Sequence, residues 1–187
     1  MTNLRCIALY VIAFLAACLG HGLLGSAQQE PQSDEREEAE RLIALLQVPK
    51  IRETDPDGVT EAIRRLGRIG DERAVPILAE YLDFKRPPTD YEKAGLKLAA
   101  TMVPFPARDA LNRIGRAGTE AVIKVIRQHG IESPGGKNAF WVLHYYYSDS
   151  LRELLELIEQ EASSAPEEEA QHLREAIARY RQLMERH

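Results

Sequence analysis

Cysteine and aromatic side chains are scarce in this chain. Of its 187 residues only two are cysteine, Cys6 and Cys18, and both fall within the first 27 positions. Past that point there is no disulfide, no thiol nucleophile and no thiolate metal ligand, so an exported form would be indifferent to an oxidising compartment. Aromatics make up 6%, and Gly 12 with Pro 10 is near average, which excludes collagen-like and low-complexity chains. No block of five bases occurs, and from residue 28 onward 23 bases stand against 29 acids. A net charge of −6 there argues against nucleic acid, and against membrane contact by the folded part. No stretch alternates apolar and polar residues for long enough to make a strand, so the fold class expected is all-α.

The one long apolar run lies at the start. Residues 1–27 carry a single charge, Arg5, then an apolar stretch from Cys6 to Leu19, then small residues at Gly25, Ser26 and Ala27. This is the three-part layout of a secretory signal peptide, and 14 apolar residues fall short of the ~20 that span a bilayer. Two endings fit. Cleavage after Ala27 would give a secreted or periplasmic protein. Leu15, Ala16, Ala17 and Cys18 instead resemble a bacterial lipobox, which would lipidate Cys18 and anchor the protein in the envelope. Residues 28–33 are polar and suit a short tether.

From Ser33 the spacing is helical. Ala39, Leu42, Ile43 and Leu46 step along one face, and Pro49 ends it. Val59, Ala62, Ile63 and Leu66 form a second stripe closed by Gly70. After Asp71 as N-cap, Val75, Leu78 and Leu82 form a third, with Pro76 tolerable only in its first turn. KRPPTD breaks the pattern, and a helix is expected over Tyr91–Met102. The motif then returns: Leu66, Ile69 and Gly70 recur 45 positions later as Leu111, Ile114 and Gly115, and Ala74–Val75 recur as Ala121–Val122. A third, looser pair is expected over residues 137–147 and 150–161, with a capping helix at 167–186. Such a recurrence marks a stacked array, because one short helix pair cannot bury its own apolar face.

The segments LGRIGDERAVPILAEYL and ALNRIGRAGTEAVIKVI resemble HEAT repeats of the short bacterial type found in phycobilisome lyases. The matching features are the Leu and Ile of the first helix, the Gly at the turn and the Ala-Val opening of the second helix. The resemblance implies an α-solenoid of stacked antiparallel helix pairs, an armadillo-type superhelix over residues 34–187, with a surface that binds another protein. Some HEAT-like proteins act in bilin attachment, but no Cys or bilin-binding motif is present to carry that activity over. Roles as a small-ligand or lyase-type accessory using the solenoid groove, or as a structural envelope lipoprotein, are the alternatives.

No catalytic, metal or cofactor residues emerge. His129, His144, His172 and His187 never approach at i+3 or i+4, no serine sits in a GxSxG elbow, and no acidic run has calcium-loop spacing. A non-enzymatic protein is therefore expected, without cofactor. Arg68 and Arg113 occupy equivalent repeat positions, either as a structural ladder with neighbouring acids or as a ridge that meets a partner. The richest stretch is NAFWVLHYYYSD, residues 138–149. There Phe140, Leu143, His144 and Tyr147 share one helix side while Trp141 and Tyr145 share another. Such a helix is sandwiched between neighbours, the commoner outcome, or it shows Trp141, His144 and Tyr145 to a protein partner.

Overall fold

Apolar spacing and the stop signals around it decide where each helix begins and ends. The computed structural model describes residues 30–95 and 104–185, and no strand occurs among them. The expected export signal, Cys18 and most of the predicted Tyr91–Met102 helix lie outside the described residues. Residues 1–37 and 38–187 form separate units, and the packing that follows is that of the second.

Helix α1 (Glu30–Leu46) starts three residues before the expected Ser33, and α2 (Ile51–Thr54) is a single turn. Helix α3 (Pro56–Ile69) is opened by Asp55, whose carboxylate accepts from the Gly58 N–H at 2.9 Å, with Pro56 in the first turn. Val59, Ile63 and Leu66 are fully buried, as their spacing predicts. At Gly70 (φ 75°) the helix stops, and Asp71 accepts from Arg73 N to open a 3-10 turn, Glu72–Ala74, that runs into α4 (Val75–Glu80). Pro76 falls in the first turn of α4, where its missing N–H costs no hydrogen bond.

The break KRPPTD holds an unforeseen lock. Arg86, 5% exposed, forks onto Glu92, which is itself part of a capping box with Thr89 on the short α5 (Asp90–Lys93). The Arg86 guanidinium and the Thr89 N–H hold the Glu92 carboxyl well below the usual carboxylate range, at about 2.

The second copy follows as α6 (Pro106–Ile114), a 3-10 turn Arg116–Gly118, and α7 (Thr119–His129). Then come α8 (Pro134–Tyr146), α9 (Leu151–Ser164) and α10 (Glu167–Met184). First helices stack on first helices, α3 on α6 and α6 on α8, while α4 packs on α7 and α7 on α10. The α3–α6 contact is close because Gly67 lacks a side chain: a Cβ there would lie 2.6 Å from the Ala110 Cα. This is an α-solenoid of stacked helix pairs, as the recurrence of 45 residues implies.

Three tyrosines tie helices together. The Tyr81 hydroxyl donates to the Leu46 carbonyl, Tyr146 to Leu111 and Tyr180 to Phe140, each at 2.6 Å. Burial pushes the Tyr146 and Tyr180 phenols far above their ordinary range. The third pair is less simple than its sequence suggests, since the element α9 packs on most extensively is α10. Helix α9 fully buries only Leu154 and Ile158, whereas α10 buries Ala170, Leu173, Ala176, Ile177 and Tyr180 and so faces both α9 and α7. Tyr180 also stacks on Phe140 with centroids 4.1 Å apart.

Candidate partner-binding site

Helix α8 carries the site, and its position is set at both ends. Ser133 accepts from the Gly136 N–H at 3.0 Å and Pro134 fills the first turn. Inside that turn the Asn138 amide donates to the Leu82 carbonyl at 2.8 Å, pinning α8 to the end of the first pair. At the far end Tyr146 and Tyr147 are buried. One side of the helix, with Phe140, Leu143 and Tyr146, is core.

The other side is open. Trp141 is 49% exposed and Tyr145 62%, which corrects the expectation that this helix is sandwiched. The reason is the stacking partner. Helix α6, nine residues long, packs on α8 and holds it through the Leu111 carbonyl, which accepts from the buried Tyr146, while Trp141 and Tyr145 stay exposed beside Arg108 and Asn112.

Trp141, His144 and Tyr145 of α8 and Ser148 just past it meet Arg108 and Asn112 of α6 around a depression of about 330 Å³. The His144 ring stands edge-on to the indole, centroids 5.5 Å apart and planes at 80°. Arg108 is half-buried, and among the described residues its guanidinium has no ion pair or hydrogen bond. Asn112 Oδ1 and His144 Nδ1 are buried atoms without a hydrogen-bond partner, two of the four such side-chain atoms among the described residues. No acid lines the depression. Two amphipathic rings, a forked donor and unused hydrogen-bonding atoms make a surface suited to holding a ligand through contact area and polar complementarity.

Arg68 and Arg113 do not join it. Each pairs with an acid of its own helix, Arg68 with Glu61 at 2.7 Å and Arg113 with Asp109 at 3.1 Å. That is the ladder with neighbouring acids rather than a free cationic ridge. Ser150 occupies the N-cap position of α9 without a side-chain cap bond, and its Oγ accepts from Arg116 at 2.6 Å. Arg108 and Asn112 escape a sequence-based search because their role depends on the register of α6 against α8. The visible signal is that they sit one turn apart on the polar side of a helix whose Ala107, Ala110 and Leu111 are core.

A second concavity, of about 520 Å³, lies between α4 and α7 over Val75, Pro76, Ala79, Ala121 and Val125, rimmed by Glu72, Glu80 and Glu120. Groups of three His, Cys, Asp or Glu able to hold a metal ion do not occur among the described residues, and no described helix is long and apolar enough to cross a membrane.

No curated protein and no solved structure matches the chain. Residues 60–84, which run from the second turn of α3 to just past α4, match the family of PBS lyase HEAT-like repeats, and the chain is a helical repeat protein with that unit within its stack.

Proposed function

We propose that this helical repeat protein is a non-enzymatic adaptor that binds a protein partner through the α6–α8 face. The observation that carries the reading is the exposure of Trp141 and Tyr145 one turn apart on a helix whose opposite side is core. Trp, Tyr and Arg are the residue types that dominate contact energy, since they bring large rigid area with polar tips. Arg108, His144 and Asn112 frame them, while the ion-paired Arg68 and Arg113 give the outer face register. The work requires no cofactor. The array supplies rigidity, and α10 caps the stack over α7 and α9.

The leader supports an exported protein, periplasmic or extracellular; of residues 28–33, expected as a tether, 30–33 already belong to α1. Mass measurement of the mature N-terminus distinguishes cleavage after Ala27 from a diacylglycerol on Cys18; an intact Met1 would remove export from the proposal.

The binding reading is tested with a photoreactive side chain placed at Tyr145 in the cell that makes the protein. One protein adduct that disappears on Trp141→Ala is the expected result. Adducts unaffected by that change would overturn the assignment of the face. Neutral-quencher fluorescence provides a direct check, because Trp141 is the single tryptophan. Full shielding in the free protein would overturn it as well.

A further inference from the structure

The depression between α6 and α8 also indicates what kind of partner it takes. Unpaired charge is the informative feature. Arg73, Arg86, Arg113, Arg116, Arg127 and Arg174 all pair with carboxylates, yet Arg108, half-buried, pairs with nothing described. A guanidinium that has lost part of its hydration without gaining a counter-ion favours a ligand that brings one. Its surroundings sharpen the preference. The six residues around the depression include no acid, although the chain as a whole has a net charge of −5. An incoming carboxylate meets no like charge there, and a basic group meets only Arg108.

Next to the cation are the unused hydrogen-bonding atoms of Asn112 and His144. Unpaired buried polar atoms are uncommon, and finding two at one depression calls for a physical reason. The Asn112 oxygen only accepts, so it needs a donor, and a peptide N–H is one. The imidazole nitrogen donates or accepts according to tautomer and fits either peptide group. Beyond them the Trp141 and Tyr145 rings offer flat apolar area.

We propose, resting on the reading that this face binds a protein, that the partner presents a short acidic segment. An Asp or Glu carboxylate seats on the Arg108 guanidinium, the buried Asn112 and His144 side chains turn outward to pair with the adjoining backbone, and a neighbouring apolar or aromatic side chain lies against Trp141 and Tyr145.

The test is selection from a displayed library of random 12-residue peptides on the full chain, in parallel with Trp141→Ala and Arg108→Gln chains checked for unchanged helical circular dichroism. Dependence on Trp141 is read by retention of each displayed peptide on the full chain against the Trp141→Ala chain, and affinities for the full and Arg108→Gln chains are read by the emission of Trp141, the single tryptophan. The expected result is a set of Trp141-dependent peptides enriched in Asp and Glu next to an apolar residue. Their affinity should fall about tenfold in Arg108→Gln, the effect of losing one charge-assisted pair, and should weaken with added salt. Trp141-dependent peptides that are neutral or basic, or acidic peptides indifferent to Arg108→Gln, would overturn the acidic segment while leaving the binding face standing. Recovery of no Trp141-dependent peptide, or a response of Trp141 emission to acidic oligosaccharides alone, would overturn both.

Discussion

The two clear helix pairs share a framework but turn their corners by different chemistry. In the first, Gly70 has φ 75° and ψ 18°, ordinary left-handed geometry, and Asp71 binds the N–H two residues on. Asp71 also pairs with Arg73 of the same turn, and Arg73 reaches Glu40 of α1 at 2.7 Å. In the second, Gly115 has φ 86° and ψ −156°, a combination close to glycine's alone, and no side chain caps the turn that follows. The residue equivalent to Asp71 is Arg116. It reaches outward, donating to the Tyr146 carbonyl at 3.0 Å and the Ser150 hydroxyl at 2.6 Å, pairing with Glu153 at 3.1 Å, and lying over the Tyr147 ring at 4.3 Å. The residue after the glycine caps its own turn at the first corner, whereas at the second it holds the helices that follow. A repeat array can thus keep its fold while its corner position shifts from local capping to coupling between neighbours.

The shared framework is broken most directly at its centre. Leu66 and Leu111 are both fully buried at equivalent positions, so Leu66→Ala and Leu111→Ala should each cost about 2–5 kcal/mol. Denaturant unfolding checks this. Similar losses would confirm that the two stripes are the same structural position, and a loss near zero at either would end the equivalence.

The corners themselves separate next. Asn adopts left-handed geometry with little strain, so Gly70→Asn should change stability by less than about 1 kcal/mol. Gly115→Asn places a side chain where essentially only glycine goes and should cost about 1–3 kcal/mol. Equal effects on the thermal midpoint would mean that the corners do not differ as described.

Much of this framework was legible in the sequence, because Val59, Ile63, Leu66 and their counterparts in α6 and α7 follow from spacing alone. Gly70, Asp71 and Pro76 act locally, and local chemistry predicts them. The candidate site was legible only in part. Trp141, His144 and Tyr145 stood out by type, but whether that side of α8 is covered depends on the short length of α6 and on where it stacks. Arg108 and Asn112 acquire a role only through that contact between helices, which no spacing within α6 reveals. The ion pairs of Arg68 and Arg113 lay within reach of simple counting, since Glu61 and Asp109 stand seven and four residues before them.

Smaller again is the contrast between Asp71 and Arg116. Asp71→Ala removes a cap and should cost about 1 kcal/mol, felt at the start of α4. Arg116→Ala removes exposed pairs worth little individually, so its global cost should also stay near 1 kcal/mol. Its effect should appear elsewhere, as faster amide exchange in the first turn of α9, around Leu151 to Leu154, where Arg116 meets Ser150 and Glu153. Arg116→Lys should fail to restore protection, because an ammonium cannot span the carbonyl, hydroxyl and carboxylate at once. Faster exchange confined to the 3-10 turn itself would show that Arg116, like Asp71, acts only on its own corner.

The smallest stability effect is expected at Trp141. Half of its surface is already in water, and its described ring contacts are the edge-on ones with Phe140 and His144, so Trp141→Ala should cost about 0.5–1 kcal/mol. Tyr146 and Tyr147 lie within six residues on the same chain, but they belong to the side of α8 that Arg116 and α6 hold. Tyr146→Phe strands the Tyr146 contact at the Leu111 carbonyl and should cost about 1 kcal/mol while leaving partner capture unchanged. Trp141→Ala should do the reverse, abolishing capture while barely moving the thermal midpoint. If Trp141→Ala instead destabilised the fold as much as Leu111→Ala, its ring would be core, and the open side of α8 would have to be assigned to packing rather than to a partner.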